Sequence, residues 1–146
     1  MAFGQDSEAR LVDALRANGA ARLSLVASLD GSIVGHIMFS PARTGSVTGA
    51  ALGPMAVAPD LQRRGIGSRL VEDGIATLKQ DDCPFIVVVG HPGFYPRFGF
   101  TPADTIGLTC EWNVPRDVFM ALVLDPAAMR GVAGIAKYRD EFSTLA

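Results

Sequence analysis

Two stretches of the chain combine residue types that could do chemistry. The first covers residues 52–70 and reads L-G-P-M-A-V-A-P-D-L-Q-R-R-G-I-G-S-R-L. An apolar strand over residues 52–57 is predicted to stop at Pro59, and a glycine-containing turn then begins a helix. The first amide N–H groups of a helix have no intrahelical partners and lie in positive potential. Gly65 and Gly67 would let an anion approach them, so this turn could hold a phosphate or pyrophosphate.

The helix after this turn is predicted from spacing. Its apolar residues recur at helical intervals, with Gly67 and Gly74 on the same stripe, whereas the charged residues lie away from it. The stripe consists of Ile66, Leu70, Val71, Ile75 and Leu78. The turn has neither the Lys-Ser/Thr ending of a P-loop nor three glycines in dinucleotide spacing. Taken alone, a glycine-containing turn before a helix is more often purely structural than a phosphate site.

The second stretch covers residues 85–100 and reads F-I-V-V-V-G-H-P-G-F-Y-P-R-F-G-F. It predicts a buried strand, a short helical turn that carries Tyr95, and an exit at Gly99. Without further information, Tyr95 would be interpreted as a tyrosine packed in an aromatic cluster with Phe94, Phe98 and Phe100.

Together the two stretches resemble the GNAT N-acetyltransferase superfamily. The segment Q-R-R-G-I-G at residues 62–67 matches the family's Q/R-x-x-G-x-G/A acyl-CoA signature, and F-Y-P-R-F-G-F at residues 94–100 matches its F-Y-x-K/R-x-G-F segment. The similarity extends roughly over residues 5–125. It implies transfer of an acetyl group from acetyl-CoA to a primary amine of a small molecule or peptide, directly within a ternary complex. The alternative is a non-catalytic acyl-CoA-binding sensor or regulatory module.

The resemblance also implies where the cofactor lies. In the family two central strands splay apart, and the pantetheine arm pairs with the backbone that corresponds here to Met55, Ala56 and Val57. A proline within this strand, Pro54, is compatible with a missing ladder donor. The Val57 N–H is then a candidate donor to the oxyanion that develops on the thioester carbonyl.

The pyrophosphate would be held by the turn, chiefly through the main-chain N–H groups of residues 64–67. The Ser68 hydroxyl could add a contact, while the Arg63 and Arg64 side chains would face either phosphates or solvent. The cofactor-binding set implied by the family is therefore Met55, Ala56, Val57, Gln62, Arg63, Arg64, Gly65, Ile66, Gly67, Ser68 and Tyr95.

The family places a tyrosine at the position of Tyr95 as general acid. A phenol with an unperturbed pKa of about 10 is protonated at neutral pH and can donate to the departing thiolate. The general base stays open between His91, which follows the buried strand, and Glu111, in a late segment that could line a substrate pocket. His36 lies within an apolar strand, where a core histidine is the expectation.

Composition limits the other function classes. The 146 residues form one predicted domain, residues 1–146, with 49% hydrophobic residues and a mean hydropathy of +0.27. The longest apolar run, residues 118–124, is too short to span a membrane, and no signal peptide is evident, so we expect a cytoplasmic protein. A net charge of −2 does not favour nucleic acid or anionic membranes. Cys83 and Cys110 lack metal-site spacing, and we expect no metal.

The predicted order of elements is that of an α/β protein. The resemblance makes it a mixed, mostly antiparallel sheet with a central splayed strand pair flanked by helices. The family's first strand is not recognisable in this sequence, so either the full chain is longer or the edge at residues 22–29 is exposed or covered by a partner chain. Of these we expect a covered edge, in a homodimer for example. The first predicted elements are a helix at 8–18, strands at 22–29 and 33–39 around an Asp30–Gly31 turn, and a loop at 40–49. The strand and helix of residues 52–78 follow, and then strands at 85–89 and 118–124 with irregular structure or a short strand at 101–115 between them. Surface turns at 127–146, anchored by Tyr138 and Phe142, end the sequence.

Overall fold

The computed structural model describes residues 22–59, 62 and 65–139. The predicted helix at 8–18 and the anchor Phe142 lie outside these residues. Within them the chain forms eight β-strands and one α-helix. These are β1 (Leu23–Leu29), β2 (Ser32–Thr44), β3 (Val47–Val57), α1 (Ile66–Gln80), β4 (Phe85–Val89), β5 (Thr101–Pro102), β6 (Leu108–Cys110), β7 (Phe119–Val123) and β8 (Gly134–Ala136).

Six of the strands form one mixed sheet in the order β1-β2-β3-β4-β7-β5, and β6 and β8 form a second, parallel pair. All neighbours in the large sheet are antiparallel except β3 and β4. The pairing of β3 with β4 is short, covering only Ala50–Leu52 against Ile86–Val88. The two central strands therefore separate beyond Leu52, which confirms the predicted splay.

The first hairpin has the predicted turn. Asp30 and Gly31 both adopt positive φ angles, 51° and 83°. Two successive residues of this kind make the turn whose twist matches that of the flanking strands.

The loop predicted for residues 40–49 is wrong, because β2 continues to Thr44 and β3 begins at Val47. The Phe39 carbonyl accepts a hydrogen bond from Arg22 N, and Arg43 exchanges two backbone hydrogen bonds with Lys137. Both residues thus turn their backbone polar groups away from β3. Strand alternation puts Pro41 on that same outer side, so its missing N–H removes no bond between β2 and β3.

The turns predicted after residue 126 are also incomplete, because this segment contains β8. The strand pairs in parallel with β6, with Leu108 opposite Gly134 and Cys110 opposite Ala136. Tyr138, just beyond β8, is buried as predicted.

Helix α1 begins and packs as its apolar spacing predicts. It buries Leu70, Val71, Gly74 and Leu78. A Cβ at Gly74 would lie 2.4 Å from Phe39 Cε1, so the helix packs directly on β2 at a point where only glycine fits. No helix in the described part of the chain is long and apolar enough to cross a membrane.

The large sheet is covered on both faces. On the helix face, α1 packs over side chains such as Phe39, Leu52 and Ile86. On the opposite face, which we call the second-sheet face, β6 and β8 cover side chains such as Met38 and Val87. The separation of β3 and β4 thus opens between two well-packed layers.

Candidate functional site

The gap between β3 and β4 exposes backbone groups of β3. Ala58 N donates to Val34 O at 2.7 Å, so Ala58 turns its backbone groups toward β2. Alternation along the strand then turns the N–H and C=O groups of Val57 and Met55 the other way, toward the gap. Within the described residues the β4 ladder ends at Leu52, so β3 offers a free strand edge from there to Val57.

The side chain of Gln62 occupies one group of this edge. Its Nε2 donates to the Val57 carbonyl at 3.1 Å. This bond joins the turn before α1 to the end of β3. Because the Val57 carbonyl is occupied in this way, the Val57 N–H is the backbone group of this residue that remains for a ligand in the gap.

The start of α1 is built to face an anion. Gly65 precedes the helix with a φ of 82°, a conformation that side chains disfavour. In this part of the described chain no side chain caps the first amides, those of Ile66, Gly67 and Ser68, and the first turn carries no acidic residue. These amides are therefore available to a negatively charged group. Arg63 and Arg64 lie outside the described residues.

Gly67 marks the point where three elements meet. A Cβ placed there would lie 3.7 Å from Val57 Cγ2 and 4.0 Å from both Met55 Cε and Phe94 Cζ. The start of α1, the free edge of β3 and the turn before Tyr95 thus converge on one space, and the bare glycine keeps that space open.

Tyr95 begins a 3-10 turn, Tyr95–Phe98, after β4. Its ring packs edge-to-face on Phe94 at 5.0 Å and on Phe100 at 5.7 Å between centroids. The residue is 7% exposed, and this burial raises the pKa of the phenol to about 12. The aromatic packing foreseen in the sequence is confirmed, and it holds the phenol in its neutral form.

The two candidate bases lie in different surroundings. The His91 side chain is exposed, and its carbonyl accepts hydrogen bonds from Phe94 N at 3.1 Å and Tyr95 N at 3.4 Å. Glu111 lies beyond β6, and its Oε1 accepts a hydrogen bond from Tyr138 N at 2.8 Å. His91 therefore shares the turn of Tyr95, whereas Glu111 joins the segments that follow β6 and β8.

The remaining titratable candidates are structural. His36 is buried in β2, with its Nε2 3.2 Å from Ser24 Oγ. Cys83 and Cys110 are free thiols, and burial raises the pKa of each. Among the residues that the structure describes, no group of three or more His, Cys, Asp or Glu side chains could hold a metal ion.

Two features of this site were not found from the sequence. One is the Gln62 hydrogen bond to Val57, which depends on how the turn folds back. The other is Gly90, where a Cβ would lie only 2.4 Å from Tyr95 Cε2. The sequence shows a glycine directly after a buried strand, but only the position of the Tyr95 ring explains why a side chain does not fit there.

Comparisons with known proteins agree with this geometry. The acetyltransferase (GNAT) family model matches residues 2–100. The N-acetyltransferase YhbS of Escherichia coli K12 is 33% identical over 144 residues, which is 97% of this chain and 86% of that protein. The N-acetyltransferase YjhQ of the same strain is 36% identical over 142 residues, which is 89% of this chain and 78% of that protein.

Two solved structures are similar as well. The crystal structure of E. coli YhbS in complex with CoA superposes with a TM-score of 0.92 at 32% identity, covering 97% of this chain and 81% of that one. A GNAT acetyltransferase from Brucella melitensis in complex with acetyl-CoA gives a TM-score of 0.77 at 34% identity, covering 97% and 82%.

Proposed function

Because this chain belongs to the acetyltransferase (GNAT) family, we propose that it transfers an acetyl group from acetyl-CoA to a primary amine by direct attack in a ternary complex. The observation that carries the proposal is the free edge of β3 at Met55 and Val57, which faces the gap next to the uncapped start of α1. An extended arm with a phosphorylated end would fit both features at once.

The residues at the gap suit acetyl-CoA, the ligand of the Brucella melitensis relative. The pantetheine arm would pair with the backbone of Met55, Ala56 and Val57, as an added strand does. The amides of Gly65 to Ser68 would bind the pyrophosphate, and the missing side chain at Gly67 leaves room for it. Gln62, Arg63 and Arg64 complete the proposed cofactor turn. Bound acetyl-CoA supplies the activated acetyl group.

Val57 N–H would stabilise the reaction at the acetyl carbonyl. Attack by an amine moves negative charge onto that oxygen, and a fixed backbone donor stabilises such charge without reorganising. The hydrogen bond from Gln62 to the Val57 carbonyl supports this role, because it fixes the plane of the adjoining peptide. Val57 thus acts through its backbone, while its side chain packs in the core.

Tyr95 would protonate the departing thiolate. Burial raises the pKa of the phenol to about 12, so Tyr95 is protonated and able to donate throughout the physiological pH range. The same buried surroundings would disfavour a charged thiolate beside the phenol, so protonation of the departing sulfur would stabilise the product. The aromatic contacts to Phe94 and Phe100 fix the ring while the hydroxyl acts.

The attacking amine must lose a proton before or during attack. Of the two candidate bases we favour His91, whose exposed side chain belongs to the same turn as Tyr95. Glu111 is less suitable because its carboxylate already accepts the Tyr138 amide proton. The acceptor is a small-molecule or peptide amine, and we further propose a homodimer formed through the β1 edge.

A screen of primary amines with acetyl-CoA tests the function, with release of free thiol as the readout. We expect at least one class of amine to accelerate thiol release in a saturable way. Tight acetyl-CoA binding without acceleration by any amine would contradict catalysis and favour the alternative, a non-catalytic acyl-CoA-binding module.

A further inference from the structure

A second cavity lies on the second-sheet face, away from α1. It has a volume of about 320 Å³ and is bounded by β6, by the segment of residues 111–118 and by the start of β7. Its apolar wall consists of Leu108, Trp112, Val114 and Phe119. We call this cavity the Trp112 pocket. A few hundred Å³ is the lower end of the range for small-molecule sites.

The pocket lies close to the gap between β3 and β4. Phe119 pairs with Val89, the residue that follows the last β4 position paired with β3. Neighbouring strands are about 4.8 Å apart, and only β4 lies between Phe119 and the gap, so the Phe119 wall and the gap are separated by about one strand spacing, roughly 5 Å. A ligand in the pocket could therefore reach the gap with a short flexible arm.

Val89 lies on β4 between Phe119 and the gap. Val87 packs on the second-sheet face, and alternation along β4 turns Val89 to the same face. Val89 is 41% exposed, which is unusual for a strand otherwise buried. An apolar arm crossing from pocket to gap would cover this side chain.

The charges at the pocket are already compensated. Asp104 and Arg116 both line it, and Arg116 Nε donates to Asp104 Oδ2. Burial raises the pKa of the Cys110 thiol, so this lining group is neutral at pH 7. The polar side chains that remain, Thr109 and Asn113, carry no charge. The pocket therefore suits an uncharged body with a flat apolar surface that packs on Trp112.

We propose that the Trp112 pocket binds the body of the acceptor and that the acceptor is an arylalkyl primary amine. The inference rests on the proposed function, and it adds the acceptor class and the residues that select it. Tyr95 and α1 pack on the helix face, whereas Phe119 packs on the opposite face. Cofactor and acceptor would thus approach the gap from opposite sides of the sheet.

In the transfer the amine nitrogen forms a bond to the acetyl carbon, and the carbon–sulfur bond breaks with its electron pair on sulfur. The sulfur takes up the proton that Tyr95 donates, and the nitrogen loses one to the base. No further reactant is needed.

Intrinsic fluorescence gives a direct test, because Trp112 is the single tryptophan of the chain. The CoA-loaded protein is titrated with 2-phenylethylamine and, as a matched control, with methylamine, which has no body to fill the pocket. We expect a saturable change of Trp112 emission with the first amine and none with the second. An unchanged emission with 2-phenylethylamine would overturn the proposal.

Kinetics with Thr109→Phe provides the second measurement. Thr109 is exposed in β6 and lines the pocket, so an aromatic side chain there is tolerated by the strand and fills the cavity. We expect KM for 2-phenylethylamine to rise at least about tenfold, a loss of about 1.4 kcal/mol, while KM for acetyl-CoA stays the same. Gln80→Phe, at the exposed end of α1, is the matched control and should change neither value.

The two hypotheses fail differently. If 2-phenylethylamine is acetylated with the same KM by wild type and Thr109→Phe, the pocket assignment is wrong and the acetyltransferase function stands. If no amine accelerates thiol release, the proposed function is wrong, and the fluorescence titration decides by itself whether the pocket binds arylalkyl amines.

Discussion

The ring of Tyr95 occupies the space that a side chain at Gly90 would need. An ideal Cβ at Gly90 would lie 2.4 Å from Tyr95 Cε2 and 3.0 Å from Cδ2, well inside van der Waals contact. Gly90 directly follows β4, and its N–H donates to Val118 O at 2.9 Å, which fixes the backbone there. The position of the phenol beside the gap therefore depends on a glycine at the end of the central strand.

Gly90→Ala should displace the phenol without removing it. Since the Gly90 backbone is held by its hydrogen bond to Val118, directly before β7, we expect the ring to move, and a shift near 1 Å can cost about 10²-fold in rate. We predict that kcat falls roughly 10- to 100-fold while acetyl-CoA affinity changes little, measured by steady-state kinetics and calorimetry. Gly93→Ala is the matched control, because among the described residues no atom beyond its chain neighbours lies within 4 Å of its added Cβ. Equal kcat values for the two variants would refute the dependence on Gly90.

Gly67→Val should weaken cofactor binding. A Cβ at Gly67 makes ordinary contacts with Val57, Met55 and Phe94, so the fold accepts it, but a branched side chain would fill the proposed pyrophosphate space. We predict at least tenfold weaker acetyl-CoA binding, about 1.4 kcal/mol, by calorimetric titration. Ala76→Val, exposed on the same helix, controls for helix propensity. Unchanged affinity in Gly67→Val would place the phosphates elsewhere.

Alkaline pH should not ionise the tyrosines of the folded protein. Burial raises the pKa of Tyr95 from 10.0 to about 12 and also raises that of Tyr138. Because the folded state holds the Tyr95 proton more tightly than the unfolded state, this group's contribution of about 3 kcal/mol is present below pH 10 and is lost as pH rises through 12. We predict no tyrosinate absorbance below about pH 11 and then its appearance together with unfolding. Ionisation near pH 10 with the fold intact would contradict the burial of these phenols.

The outer edge of β1 should mediate self-association. In the described sheet β1 is the terminal strand, and nearby Val26 and Ile33 are 51% and 65% exposed. Exposed apolar edges favour pairing with another chain, and a lysine on such an edge opposes it. We predict a dimer by light scattering and a monomer for Val26→Lys, with Lys79→Ala on α1 as a control that remains dimeric. A monodisperse wild-type monomer would end this proposal.

Local patterns predicted most of the fold because several signals agreed at each element. The stripe of Leu70, Val71 and Leu78 predicted α1, and Asp30–Gly31 predicted the first hairpin. The 40–49 segment was missed because Pro41 and Gly49 usually interrupt strands. Both residues are instead explained by their positions relative to neighbouring strands. Pro41 turns its nitrogen to the outer side of β2, and a Cβ at Gly49 would lie 2.6 Å from Phe85 O on the neighbouring strand β4.

The candidate site was predictable where a motif specifies backbone geometry and not where distant side chains meet. Gly65 and Gly67 indicated the turn, and the aromatic residues around Tyr95 indicated its packing. The hydrogen bond from Gln62 to Val57 and the contact between Gly90 and Tyr95 depend on how turns fold back onto strand ends. The Trp112 pocket is lined by short segments whose apolar residues have neither helical nor strand periodicity, so the sequence did not predict it.

If this protein acetylates an amine with Tyr95 as the acid, kcat should depend on the Tyr95 hydroxyl, which Tyr95→Phe removes. The phenylalanine ring keeps the contacts to Phe94 and Phe100, so only the proton donor is lost. With the best amine of the screen, we predict a fall in kcat of roughly 10²–10⁴-fold with nearly unchanged acetyl-CoA affinity, the pattern of an interaction made in the transition state. Turnover of Tyr95→Phe at the wild-type rate, with chemistry rate-limiting, would show that Tyr95 is not the acid.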